Sequence, residues 1–212
     1  MSADFPTILN TEYVTREEPS KLLVQIKNWI LAVKPFALIH PHGFLIIPVR
    51  REQGEDWRFH VWPRGKRFIT GMPGLIHTHD KILESRVLKG RLSNSNYSVT
   101  CVKQGGVPVY KVSYAGDKYL PSAASLLIRT NVRVAPKVIE RRDFQVGENY
   151  RVDAHLFHQV DVPEEESTCT LARMHSQSPG IIQVLGIDGY ADRLESLRSQ
   201  LSTDDLITFA EF

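Results

Sequence analysis

Four of the chain's eight histidines fall in two pairs separated by a single residue: His40 and His42 in LIHPHG, His77 and His79 in LIHTHD. Two imidazoles at i and i+2 on an extended segment project to the same side of the backbone, as two cis ligands of one metal ion must. The second pair has more around it. Glu84 follows His79 by five residues, and the intervening DKIL can turn the chain so that the carboxylate comes back to the same ion. A further histidine, His158, lies in the strand-like run NYRVDAHLFHQV. Imidazole nitrogen with carboxylate oxygen suits iron, manganese, nickel or zinc, and a set of His77, His79, His158 and Glu84 would leave positions open for a ligand. The first pair lacks such support, because Pro41 removes a backbone donor between its histidines and Ile47 stands five residues on. His40 and His42 are therefore read as packing histidines of the turn into the first strand, with a place at a substrate mouth as the alternative.

Three other polar residues are candidates for contact with a substrate. In WRFHVW, Arg58, His60 and Trp62 share one strand face and Trp57, Phe59 and Val61 the other. Arg58 and His60 are the residues to expect in a pocket if that face turns inward. If it turns outward, Arg58 is a snorkelling surface arginine. After Glu84, parity places Arg86 on the carboxylate's side, where its planar fork would grip a substrate carboxylate or pair with a protein acid. His155 is three residues from His158 and so falls on the opposite face of a regular strand.

Positioning these residues requires a framework of strands. Leu22, Leu23, Ile26, Trp29, Ile30 and Val33 recur at helical spacing and predict a first helix over 17–33, stopped by Pro35. From about residue 43 the period changes to two. GFLIIPV and WRFHVW flank the polar turn REQGED as in a hairpin, and SRVLKGRL, NYSVTCV, VPVYKVSYAG, VRVAPKVIERRDF, NYRVDAHLFHQVDV, STCTLARM and GIIQVLGI continue as short strands. Many short strands bounded by Gly, Pro, Asn and Asp argue for a jelly roll or sandwich rather than a parallel sheet. YADRLESLRSQLSTDDLITFAEF predicts one or two closing helices, and SAASLLIRT, within the poorly patterned stretch 116–136, reads as a short helix or turn.

Composition narrows the function classes. A formal net charge of +2 gives no reason to expect nucleic-acid binding, and no apolar run approaches the ~20 residues that cross a bilayer. Without a basic, then apolar, leader at its start the chain is expected to be cytoplasmic. Cys101 and Cys169 lie far apart with no CxxC spacing, so both are expected as reduced thiols in strands. Neither a phosphate-binding glycine loop nor a GxSxG elbow is present.

The stretch GMPGLIHTHDKILESRVLKG, from Gly71 to Gly90, resembles the first metal-binding motif of the cupin superfamily, shortened by one residue before its last glycine. The second cupin motif, laid on Gly147, places its histidine at His158, with Asp153, His155 and Val162 replacing the motif's Pro, Gly and Asn. Within cupins, IHTHDKILESRVLKGRLSNSNY and FHQVDVPEEESTCTLARM are similar to stretches of the cysteine dioxygenase type. That type carries Cys or Gly where this chain has Glu84, however, and its Ser-His-Tyr triad has no counterpart in TCTLARM. The resemblance implies a mostly β fold: a single cupin-type antiparallel β-barrel or jelly roll over 37–188, with an N-terminal helical extension over 1–36 and a C-terminal helical tail over 189–212. It implies a metal held by His77, His79, Glu84 and His158, with Fe(II) first in expectation and Mn, Ni or Zn as alternatives. It further implies a mononuclear non-haem iron oxygenase in a chain expected to pair as a homodimer, and Arg58 and Arg86 as clamps point to a small polar organic acid, amine or thiol as its substrate. The alternatives are a non-redox metal cupin (isomerase, lyase or hydrolase) and a barrel that binds a small ligand without catalysis.

Overall fold

A computed structural model of the chain describes residues 4–52, 54–67, 69, 71–114, 124–197, 199–202 and 205. Three helices lead: α1 (Phe5–Ile8), α2 (Thr11–Arg16) and α3 (Pro19–Val33). Strands follow as β1 (Ala37–His40), β2 (Phe44–Glu52), β3 (Glu55–Trp62), β4 (Ile82–Lys89), β5 (Leu92–Cys101), β6 (Val107–Tyr114) and β7 (Ala124–Phe144). The remainder are β8 (Asn149–Val152), β9 (Phe157–Asp161), β10 (Thr168–His175), β11 (Ile182–Leu185), β12 (Arg193–Leu197) and β13 (Gln200–Leu201). They form two antiparallel sheets, β13-β1-β2-β3-β10-β4-β8 and β11-β6-β7-β5-β9, with β12 paired to β7. The mostly β fold of packed antiparallel sheets expected from the strand pattern is the fold observed.

Strand parity divides the first sheet into two unlike faces. Trp57, Phe59 and Val61 of β3, Cys169 and Leu171 of β10 and Leu88 of β4 form one apolar core, and Leu22, Ile26, Trp29 and Ile30 of α3 close over it. Helix α3 begins with Pro19 in its first turn, where the missing N–H costs nothing. It ends at Lys34, whose left-handed backbone (φ 53°) lets its N–H reach Ile30 O at 2.9 Å. The alternate residues Asp56, Arg58, His60 and Trp62 face the second sheet. The last glycine of the His-x-His motif, Gly90, turns β4 into β5 at φ +69°, and a Cβ there would lie 2.6 Å from Ser167 O.

Two expectations fail. The tail expected as helix contains β12 and β13 among its described residues, although Leu194, Leu197 and Leu201 are spaced as on a helix. Ladder bonds offered by β7 and by the edge of β1 outweigh that local periodicity: Leu194 pairs with Leu127, and Leu201 with Ala37. SAASLLIRT is likewise strand from Ala124 onward, within β7, which pairs with β6 along one half and β5 along the other. The earlier part of that segment, 115–123, and residues 206–212 of the tail lie outside the described residues. Cys101 and Cys169 are free thiols in β5 and β10, as expected.

Candidate metal centre

The second His-x-His segment is bonded between the two edge strands of the second sheet. His77 N–H donates to His158 O at 3.0 Å and His158 N–H to His77 O at 2.9 Å, while Thr78 N–H reaches Gln183 O and Leu185 N–H reaches Ile76 O. His77 is thereby bridged to both β9 and β11. A directly opposed antiparallel pair sets its side chains beside one another on the same face, and the rings of His77 and His158 have centroids 4.6 Å apart. His79, two residues on, brings its ring to the same place, 4.8 Å from His77 and 5.0 Å from His158. One nitrogen from each of the three lies within 4.8 Å of the others.

The protein's own acceptors fix the tautomers. The Glu140 carboxylate only accepts, so Asn96 turns its Nδ2 to it at 2.9 Å and presents Oδ1 to Asn94 Nδ2, also at 2.9 Å. Asn94 Oδ1 is left to accept from His158 Nδ1–H at 2.8 Å, so Nε2 of His158 carries a lone pair. Leu75 O does the same for His77, accepting from Nδ1–H at 2.8 Å. Such partners orient metal-ligating imidazoles and raise their basicity. Burial keeps both rings neutral: it pushes the pKa of His77 down to about 4, against the pull of the Leu75 bond, and with the charge of His77 holds that of His158 well below the imidazole range.

These residues fit a transition-metal ion. Nε2 of His79 and Nε2 of His158 are 3.0 Å apart, about the spacing of two donors at right angles around one ion with bonds of roughly 2.1 Å. The widest of the three separations exceeds the roughly 4 Å that opposed donors on one ion would show, so loading must draw the rings together.

The group opens on a chamber of about 60 Å³ between the sheets, walled by Phe44, Arg58, His60, Trp62, Arg67 and Tyr150 besides the three histidines. A second chamber of about 70 Å³ adjoins it on the side of Met72, Val112, Leu127 and Val184. Arg58 and His60 therefore stand where the inward-facing reading of WRFHVW places them. His60 is 7% exposed, and burial together with the Arg58 charge pushes its pKa down to about 3. His40 and His42 line both chambers, with the ring of His42 4.4 Å from that of His77. They belong to the lining of the site, a role that only their His-x-His repetition hinted at.

Glu84 and Arg86 go elsewhere, which corrects the reading of both. Parity along β4 turns Leu83 and Ser85 toward the chamber side and Glu84 and Arg86 toward the helices. Glu84 is held by Arg151 at 3.1 Å, Arg173 at 3.3 Å and His175 at 3.3 Å, and its carboxylate is not in the metal-ligating group. Arg86 donates to Val14 O, to Glu17 O at 2.8 Å and to Gly147 O at 3.2 Å, tying the end of α2 to the sheet rather than gripping a substrate. His155, at φ 62°, is also outside the group, as its spacing predicts.

No protein-family model matches the chain, and no curated protein matches it in sequence. Among solved structures it is similar to a provisionally named mannose-6-phosphate isomerase of Ralstonia eutropha, with 16% identity over 63% of this chain and 84% of that one and a TM-score of 0.31. A likeness of that size says nothing about this chain's reaction. Among the described residues no helix is long and apolar enough to cross a membrane.

Proposed function

We propose that the chain is a metal-dependent enzyme in which His77, His79 and His158 hold one divalent transition-metal ion, and that its reaction is Lewis-acid chemistry, an isomerisation, elimination or hydrolysis of a small organic acid. The observation that carries this reading is the convergence of three imidazoles, two of them kept neutral by burial, in a group that holds no carboxylate among the described residues. Neutral donors leave the ion's full charge to polarise a substrate oxygen or acidify a bound water. Zinc, manganese, nickel and Fe(II) all accept such a set.

The chain's own residues do the rest. Asn94 and Leu75 O hold two of the rings in the tautomer that offers Nε2. Tyr150 and Trp62 wall the chamber against water, and the Tyr150 hydroxyl stays protonated because burial pushes its pKa up to about 12. Neutral His60 faces the chamber as a proton acceptor or donor according to its tautomer.

Turnover assays against a panel of small organic acids separate the reaction types. Protein loaded in turn with Zn, Mn, Ni and Fe(II) is expected to turn over substrate equally well with and without air. Oxygen uptake coupled to product with Fe(II) alone would replace this reading by the dioxygenase.

A further inference from the structure

The chamber in front of the three histidines is built with an excess of positive charge and with open hydrogen-bonding atoms. Arg58 and Arg67 both line it, and among its described lining residues there is no carboxylate. Arg58 is 9% exposed. Asp56 lies 3.4 Å from it and is drawn more closely to Lys81, at 2.8 Å. Asp56 and Lys81 are themselves buried, so the pair steadies Arg58 from behind while its guanidinium borders the chamber. Arg67 donates to Val160 O at 2.7 Å on another wall.

Two polar atoms on the same strand face add to this. Nε2 of His60 and Nε1–H of Trp62 are buried without a hydrogen-bond partner, and their residues are 7% and 3% exposed. Leaving a buried polar group unpaired is costly, and two of them on one wall beside a buried arginine mark a place where a ligand completes the bonding. Trp62 is held in position by stacking on Phe44, with ring centroids 4.8 Å apart.

We infer that this chamber is a subsite for a small carboxylate: the carboxylate seats against Arg58, and His60 Nε2 and Trp62 Nε1–H bond its oxygens or a neighbouring hydroxyl. A volume of about 60 Å³ admits a carboxylate with one short substituent, which makes short hydroxy acids the first ligands to test. The inference deepens the proposed function, since the chamber faces the proposed metal centre, but the carboxylate contacts use none of the three histidines.

The indole N–H of Trp62 reports the outcome directly. Proton–nitrogen correlation spectra of the metal-free full chain show the tryptophan indoles, and Trp62→Phe assigns the peak by its loss. Acetate and glycolate are expected to shift that peak saturably, at least tenfold more tightly than acetamide, with glycolate the tighter of the two. Arg58→Gln is expected to weaken both acids at least tenfold in a variant whose remaining spectrum matches wild type. Should that variant fail to fold, Arg58→Lys serves, with several-fold weakening expected because an ammonium cannot reproduce the planar fork. A Trp62 peak unmoved by the acids, moved as well by acetamide, or moved only by inorganic phosphate overturns the inference, as does unchanged affinity in a folded Arg58 variant. Carboxylate binding by a protein that takes up no metal would sink the metal-centre reading and leave the subsite standing.

Discussion

The two faces of β3, β10 and β4 carry similar chemical groups and put them to different use. On the helix-covered face Glu55, Glu84, Arg86 and Arg173 answer one another or backbone carbonyls, while His175 Nε2 lies 3.3 Å from Glu84 without a hydrogen bond. Glu55 takes Arg173 at 2.6 Å and Arg50 at 2.9 Å, and although burial works against it, the bonds from Arg173, Trp57 and Arg50 hold its carboxyl below the usual range. On the inner face Arg58, His60 and Trp62 sit a few ångströms away on the same strand, yet Nε2 of His60 and Nε1 of Trp62 are unanswered. Charge alone therefore does not mark the site. What marks it is unused buried polar capacity gathered next to three imidazoles, two of them held to offer Nε2 lone pairs.

The contrast can be broken from either side. The largest effect is expected on the outer face from Arg86→Ala, which strands the carbonyls of Val14 and Glu17 and should lower unfolding stability by about 3 kcal/mol with metal content unchanged. A raised KM with unchanged melting would instead make Arg86 a substrate clamp. Across the chamber, on β5, Asn94→Ala removes the acceptor that holds His158 and should weaken metal binding 10- to 100-fold, as such supporting bonds do elsewhere, beyond a loss of about 1–3 kcal/mol in the metal-free protein from stranding His158 Nδ1–H and Asn96 Oδ1. Competition with a chelator of known affinity measures it.

Acid should also tell the faces apart. His60 has a folded pKa near 3, below the ordinary value of about 6.5, so its neutral form is the native one and protonation favours the unfolded chain. Its contribution is complete above pH 6.5 and is lost as pH falls from there toward 3, about 2 kcal/mol of it by pH 5. Denaturant melts of His60→Gln should accordingly fall less steeply than wild type between pH 7 and 5, and parallel curves would show that His60 titrates in the fold as it does in the unfolded chain. The smallest effect belongs to Glu84→Gln. It loosens a partly exposed ion-pair network worth under about 1 kcal/mol and should leave bound metal untouched, whereas loss of metal would restore Glu84 as a ligand.

How far the sequence reads follows the same division. His77, His79 and His158 were legible because strand parity and motif spacing act locally, and the WRFHVW alternation correctly sorted Arg58 and His60 from Phe59. Glu84 was misread because a turn, DKIL, separates it from His79, and one residue of slip across a turn exchanges the faces of everything beyond it. Leu83 thus took the inner place. The role of His42 depends on a contact with His77 across the sandwich, which no local pattern records. In the tail, leucine spacing pointed to helix while distant strand edges decided otherwise.

The central claim, one metal ion shared by the three histidines, is most directly tested by elemental analysis of protein purified without a metal-affinity tag, beside His77→Ala, His158→Ala and Glu84→Gln. Near one equivalent of a transition metal in wild type and in Glu84→Gln, lost from both histidine variants while they remain folded, is the result expected. No bound metal in wild type even after anaerobic reconstitution, or metal retained by either histidine variant, would contradict it.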